Sequence, residues 1–139
     1  MIVWCVATLG FYSRKLSVED IARVLRTEAS RRVERGSPVI VRGEILRLRE
    51  ESVWSLDSPL DDSATVESHL EYLLGFIEGK TSEILSLAAD CDIAVYVSFS
   101  TRDNQGGFTL PPSMLKRLGE LDIRMEVSFM GNEEDVEDD

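Results

Sequence analysis

A chain of 139 residues with 43% hydrophobic and 29% charged side chains is long enough to bury one core without disulfide or metal cross-links. Its net charge of -11 argues against nucleic acid as a partner, because duplex binding depends on clustered lysines and arginines. No apolar run has the length of a bilayer span and the N-terminus has no basic leader, so we expect a cytoplasmic protein that does not contact membranes.

The first part of the chain predicts a strand, a short helix and a group of strands. Residues 2–9 are apolar on both faces, as in a strand near the middle of a sheet, and Gly10 offers a break. Ser17 followed by Asp20 resembles a capping box, and the apolar spacing after it predicts a helix that ends near Thr27. Between residues 31 and 58, β-branched and alternating segments predict two or three antiparallel strands.

The rest of the chain predicts a long helix, a strand, a brief helix and a final strand. Apolar residues at helical spacing predict one helix over residues 66–89, although Gly75 and Gly79 weaken its middle. Residues 93–99 alternate as a strand does, and two prolines before residue 113 predict a short helix that ends before Gly119. Residues 121–129 alternate most clearly, which predicts a strand with one buried and one solvated face.

The element order is therefore β-α-β-β-α-β-α-β, with one long and two short helices. This order predicts an α+β fold with a mostly antiparallel sheet of about five strands. We expect residues 1–131 to form a single domain. Residues 132–139 contain six acidic side chains, which repel one another and predict a disordered tail.

Charge is distributed unevenly along the chain. Residues 1–50 contain ten basic and six acidic side chains, whereas residues 51–139 contain five basic and twenty acidic ones. The second part therefore has a charge balance of -15. Acidic side chains concentrated in this way favour the capture of a basic macromolecule.

Few residues indicate catalysis. Residues 75–81 have three residues between their glycines where a phosphate-binding loop has four, and they lie within a helical pattern. The only histidine, His69, lies among Glu67, Ser68 and Glu71, so we expect an exposed helical turn rather than a general base. Cys5 and Cys91 lie in apolar segments and predict reduced, buried thiols. We predict no catalytic residue, metal ligand or cofactor.

Two features could nevertheless contact a ligand or partner. A polar loop with two glycines precedes the short helix, and its backbone amides could bind an anion or a peptide carbonyl. Trp54 favours a core anchor, but at a groove it would form a stacking wall with Tyr96. The possible contact residues are Trp54, Tyr96, Asp103, Gln105, Gly106 and Gly107.

Three segments resemble the bacterial family known as domain of unknown function 4279. They are the strand Trp54-Ser55-Leu56, the helix start at residues 67–74, and the run from Gly106 through Pro111 to Ile123. The resemblance covers nearly everything except the acidic tail. It implies a stand-alone cytoplasmic bacterial protein and brings no activity, cofactor or catalytic residue. By analogy alone, proteins of this size often accompany secreted toxins as immunity partners.

Three functions remain open at this point. We expect a non-enzymatic binding protein, and specifically an immunity protein that neutralises a basic toxin by direct contact, because acidic charge is concentrated in a chain without a catalytic set. The alternative is a small-molecule or peptide binding domain with a pocket near Trp54, Tyr96 and residues 105–107. The third is a self-associating structural module, and the sequence leaves the oligomeric state open.

Overall fold

The computed structural model describes residues 2–103 and 105–130. The strands are β1 (Ile2–Ser13), β2 (Arg31–Val33), β3 (Pro38–Val41), β4 (Glu44–Leu48), β5 (Ser52–Asp57), β6 (Asp92–Thr101) and β7 (Arg124–Met130). The helices are α1 (Val18–Leu25), α2 (Val66–Glu78), α3 (Thr81–Ala88) and α4 (Pro112–Glu120). Within the described part, none of these helices has both the length and the apolar character of a membrane span.

The strands form two sheets. A five-stranded, mostly antiparallel sheet has the order β2-β5-β1-β6-β7, and β3 pairs with β4 in a separate two-stranded sheet. In the larger sheet, β2 pairs antiparallel to β5 with Arg31 opposite Ser55. The predicted α+β class and the five-stranded, mostly antiparallel sheet are therefore confirmed.

The capping box that the sequence predicts at the start of α1 is present. The Ser17 hydroxyl accepts a hydrogen bond from the Asp20 amide, and the Asp20 carboxylate accepts one from the Ser17 amide, both at 3.1 Å. The hydrogen bond from the Ser17 amide stabilises the ionised carboxylate and is the main cause of the lowered pKa of Asp20. The helix ends at Arg26, whose left-handed φ of 52° directs the chain away from the helix axis.

The first strand and the group of strands that follows α1 differ from the prediction. Gly10 does not end β1, which continues to Ser13. Residues 31–58 contain four strands rather than two or three. Strands β3 and β4 pair with each other and are joined by a turn at Arg42 and Gly43. The φ values of these two residues, 52° and 81°, both lie in the left-handed region that a two-residue hairpin turn requires. These two residues make β3 and β4 a hairpin of their own.

The single long helix predicted over residues 66–89 is two helices. The α-helical backbone stops at Lys80, where φ is -127° and ψ is 28°. The Thr81 hydroxyl donates to the Glu78 carbonyl at 3.1 Å, and the Lys80 amide donates to the Ile77 carbonyl at 3.0 Å. These bonds satisfy groups that a continuous helix would have paired internally, so α3 begins as a separate helix.

The last strand has no well-buried face, contrary to its alternating pattern. Met125 is half-buried, but Val127 and Phe129 are 45% and 46% exposed. The reason is topological, because β7 lies at the edge of the sheet and has one neighbouring strand among the described residues. An apolar alternation in the sequence does not distinguish an edge strand from a central one.

The chain forms two compact units. Unit 1 comprises residues 1–8, 57–76 and 95–139, and unit 2 comprises residues 9–56 and 77–94. Strands β1 and β6 and helix α2 each contribute residues to both units. The single domain over residues 1–131 therefore stays a prediction, and the predicted tail at 132–139 lies outside the described residues.

Each unit contains buried side chains from helices and strands. In unit 2, the ring of Phe11 lies edge-on to Trp54 with centroids 5.5 Å apart, and α1 packs against α3. In unit 1, Leu70, Leu73 and Val97 are fully buried. Side chains of this size at complete burial supply most of the favourable free energy of folding.

Candidate functional site

A cleft of about 330 Å³ in unit 1 is the candidate site. It lies where the segment that leads into α2 meets the extended segment that follows the two glycines. The lining residues are Ile2, Asp62, Ser63, Ala64, Thr65, Val66, Glu67, Gly107, Phe108 and Thr109. The volume is at the lower end of the range for small-ligand pockets, and it would also accept one long side chain of a partner.

Hydrogen bonds hold one wall of the cleft. The Cys5 amide donates to the Asp62 carbonyl at 2.8 Å, and the Ser58 amide donates to the Ala7 carbonyl at 2.9 Å, so this segment is attached to β1. At the start of α2 the Thr65 hydroxyl accepts from the Ser68 amide at 3.1 Å. Thr65 therefore caps the helix, and one of the amides at its start is already satisfied.

Negative charge dominates the same wall. The Ser63 hydroxyl and amide donate to Asp61 at 2.7 and 2.8 Å, and these bonds hold the pKa of Asp61 below its ordinary value. Asp62 and Glu67 are exposed, and Glu67 forms no ion pair with any residue that the structure describes. A group that enters the cleft therefore meets the carboxylates of Asp62 and Glu67, which favour a cation or a hydrogen-bond donor.

Residues 107–109 form another part of the cleft lining, in which Phe108 is the large apolar side chain. Phe108 is half-buried and its ring lies edge-on to Phe99, with centroids 5.5 Å apart and an interplanar angle of 90°. This contact fixes the segment to β6. At Gly107 no heavy atom of the described residues lies within 4 Å of the position that a Cβ would occupy. Any side chain at this position would therefore project into open space.

The six predicted contact residues have different surroundings. Gly107 lines the cleft. Asp103, Gln105 and Gly106 are exposed residues of unit 1 that do not line it. The half-buried Tyr96 accepts a hydrogen bond from the Arg124 guanidinium at 3.1 Å.

Trp54, the sixth of these residues, lies in unit 2. It is 0% exposed, so the interpretation as a core anchor is confirmed. Ligand contact by the six residues stays a prediction, and the structure adds Asp62 and Glu67, which the sequence indicated only as part of a helix start.

His69 is buried, and the expectation of an exposed turn is wrong. Its exposed fraction is 0%, and its Nδ1 lies 2.8 Å from the Ser58 hydroxyl oxygen. The Nε2 atom has no hydrogen-bond partner among the described residues. The charged neighbours Glu67 and Glu71 suggest an exposed turn, but the helical spacing determines which face His69 occupies. His69 follows Val66 by three positions and lies on the same helix face as Leu70 and Leu73.

Comparison with known proteins identifies the family. A model described as Domain of unknown function (DUF4279) matches residues 4–131. The chain belongs to the DUF4279 family. This confirms the resemblance seen in the sequence, whereas no curated protein and no solved structure matches the chain. Membership assigns no residue a role.

Among the described residues of this DUF4279 protein, the excess of acidic over basic side chains lies in unit 1. Unit 2 contains eleven basic and eleven acidic side chains, whereas unit 1 contains four basic and fifteen acidic ones. Nine of those fifteen acids are in the described residues, and residues 57–76 hold five of them without any lysine or arginine. The cleft therefore lies in the unit with the excess of negative charge.

The DUF4279 chain also has two free thiols. Cys5 is buried and Cys91 is partly buried. Burial raises the pKa of the Cys5 thiol, and burial together with the neighbouring Asp90 carboxylate raises the pKa of Cys91 to about 11. Both thiols are thus protonated and poorly nucleophilic at neutral pH. In the described ranges, no group of three or more His, Cys, Asp or Glu side chains is arranged to hold a metal ion.

Proposed function

We propose that this protein is a non-enzymatic binding protein of the bacterial cytoplasm that neutralises a basic toxin by direct contact, as an immunity protein does. The observation that carries this proposal is the separation of charge, because the described residues of unit 1 contain nine acidic and four basic side chains while unit 2 is balanced. A concentrated negative field speeds the capture of a basic protein and orients it before contact.

The cleft supports a specific form of contact. Asp62 and Glu67 are carboxylates at an opening of about 330 Å³, a size that fits the end of one arginine or lysine side chain. Phe108, in another part of the lining, is apolar and would cover the aliphatic part of such a side chain. A basic side chain of the toxin that is held in this way could not reach its own substrate.

The test begins with the partner itself. The full chain, purified from its native host under mild conditions, is expected to retain a stoichiometric basic protein that mass spectrometry identifies. Expression of the chain should then protect cells against the toxin encoded by a neighbouring gene. If no stoichiometric basic protein copurifies and growth is not protected, the proposal is wrong.

A charge reversal tests the role of the cleft. We expect Glu67→Lys to lower the association rate constant for the identified partner about tenfold, because it reverses a free carboxylate at the cleft. Stopped-flow association at low and high salt would measure the change. The matched control is Glu28→Lys, which makes the same change at an exposed position of unit 2. Equal losses in both variants would contradict a role for this cleft.

The second candidate is a peptide or small-molecule binding domain, and the position of Gly107 in the cleft favours it. We expect a cleft-binding ligand to raise the melting temperature of the wild type but not that of Gly107→Phe. The new ring would occupy the open space without backbone strain.

The control for this variant is Gly119→Phe in α4, where a Cβ also meets open space. A thermal-shift screen with cationic peptides and small amines would supply the ligand. If no compound stabilises the wild type, or if Gly107→Phe responds as the wild type does, the second candidate is excluded.

A further inference from the structure

The β3–β4 hairpin exposes an apolar face. Its register pairs Pro38 with Leu48, Ile40 with Ile45 and Val41 with Glu44, with a bulge after Val39. Paired residues of an antiparallel ladder share a face, and successive pairs alternate between faces. One face therefore consists of Pro38, Ile40, Ile45 and Leu48.

This face is open to solvent to an unusual extent. Ile40, Ile45 and Leu48 are 61%, 66% and 59% exposed, and Leu46 at the bulge is 68% exposed. A two-stranded hairpin is marginally stable in water unless another layer or strand covers it. Contiguous exposed apolar side chains on a folded domain commonly mark an interaction surface. The hairpin thus exposes an apolar surface of the kind that docks onto another protein surface.

A second incomplete surface lies at β7 in unit 1. The Phe99 ring of β6 contacts the Phe129 ring, with centroids 5.5 Å apart, on the side of β7 that has a neighbour. Val127 and Phe129 nevertheless remain nearly half exposed. The backbone groups along the outer side of an edge strand are free to pair with an added strand. A further strand there would also cover the exposed parts of Val127 and Phe129.

The two surfaces have opposite charge. Residues 35–49 carry four arginines and one glutamate, and residues 120–130 carry three acidic side chains and one arginine. The single arginine, Arg124, is within 3.3 Å of Glu126, and both side chains are about half exposed. Pairing of two hairpins with each other would instead bring together two surfaces of the same net positive charge, which costs free energy.

We propose that the β3–β4 hairpin of one copy adds to the free edge of β7 in a second copy of this chain. The added strand would satisfy backbone groups at both edges and extend the sheet. It would also place the apolar hairpin face beside Val127 and Phe129. This self-association is heterologous, since each copy contributes a different surface. It does not rest on the proposed function, because neither surface includes the cleft.

Sedimentation equilibrium of the full chain tests the contact. We expect the wild type to associate, and Ile45→Ser combined with Leu48→Ser to raise the dissociation constant at least about tenfold. The control is Leu85→Ser in α3, which removes an apolar side chain of similar exposure, 68%, and should associate as the wild type does. Far-ultraviolet circular dichroism would show that each variant is folded.

A mixing experiment tests whether the interface is heterologous. The hairpin variant keeps an intact β7 edge, and Val127→Lys keeps an intact hairpin. Each should fail to associate alone, and an equimolar mixture should form a one-to-one complex. A wild type that stays monomeric, a mixture that stays monomeric, or a monomer that binds anionic vesicles through the hairpin would each overturn the proposal.

Discussion

Replacing Trp54 with alanine is expected to lower the free energy of unfolding by about 3–5 kcal/mol, the range for truncating a large buried aromatic side chain. Trp54 is 0% exposed and its ring lies edge-on to Phe11 at an interplanar angle of 82°. The truncation would remove this aromatic contact and leave a cavity that rigid neighbouring strands cannot fill.

Urea denaturation followed by circular dichroism would measure this loss. Tyr72→Ala is a suitable control, since this α2 side chain is 40% exposed and its truncation should change the free energy by less than about 1 kcal/mol. A loss at Trp54 as small as that of the control would contradict its place in the core. It would also restore the interpretation of Trp54 as part of a ligand wall.

His69→Ala is expected to lower the free energy of unfolding by about 2–4 kcal/mol, because the change removes a buried ring together with its hydrogen bond. The ring is 0% exposed, and Ser58 lies 2.8 Å from its Nδ1. An exposed histidine, as the sequence suggested, would cost less than about 0.5 kcal/mol.

Ser58→Ala and the double variant complete a mutant cycle for this pair. The serine variant should cost about 1–3 kcal/mol, because Nδ1 would then lose its hydrogen-bond partner in a buried site. The two losses should couple by at least about 0.5 kcal/mol, since the residues share one hydrogen bond. Strictly additive losses would show that the hydrogen bond contributes nothing to stability.

Only part of the candidate site could be predicted from the sequence. Gly107 could be named in advance because paired glycines before a helix suggest an accessible backbone. Asp62 and Glu67 could not be assigned to the same cleft, since 40 or more residues separate them from Gly107 along the chain. The missed signal at His69 was available, because its spacing from Val66 and Leu73 already placed it on the apolar face of α2.

The two surfaces of the proposed self-association were also hidden in the sequence. The alternation of residues 121–129 predicted a strand correctly, but whether its apolar face is covered depends on the neighbours that the sheet supplies. In the same way, residues 38–48 have strand-like composition, but the sequence did not show that β3 and β4 pair with each other, through the left-handed turn at Arg42 and Gly43, outside the larger sheet. An arginine at such a turn is a weak signal.

The sequence by itself determined the α+β class, the approximate positions of most strands and helices, the capping box at Ser17 and the DUF4279 membership. The elements and the capping box depend on hydrophobic periodicity and capping, which involve residues close in the chain, and the family depends on the order of motifs along it. Only the tertiary structure decided that β7 is an edge strand, that His69 is buried, and that Asp62 faces the same cleft as Gly107. Buried positions and clefts form where segments that are distant in the chain come into contact. Local sequence patterns do not specify which segments do so.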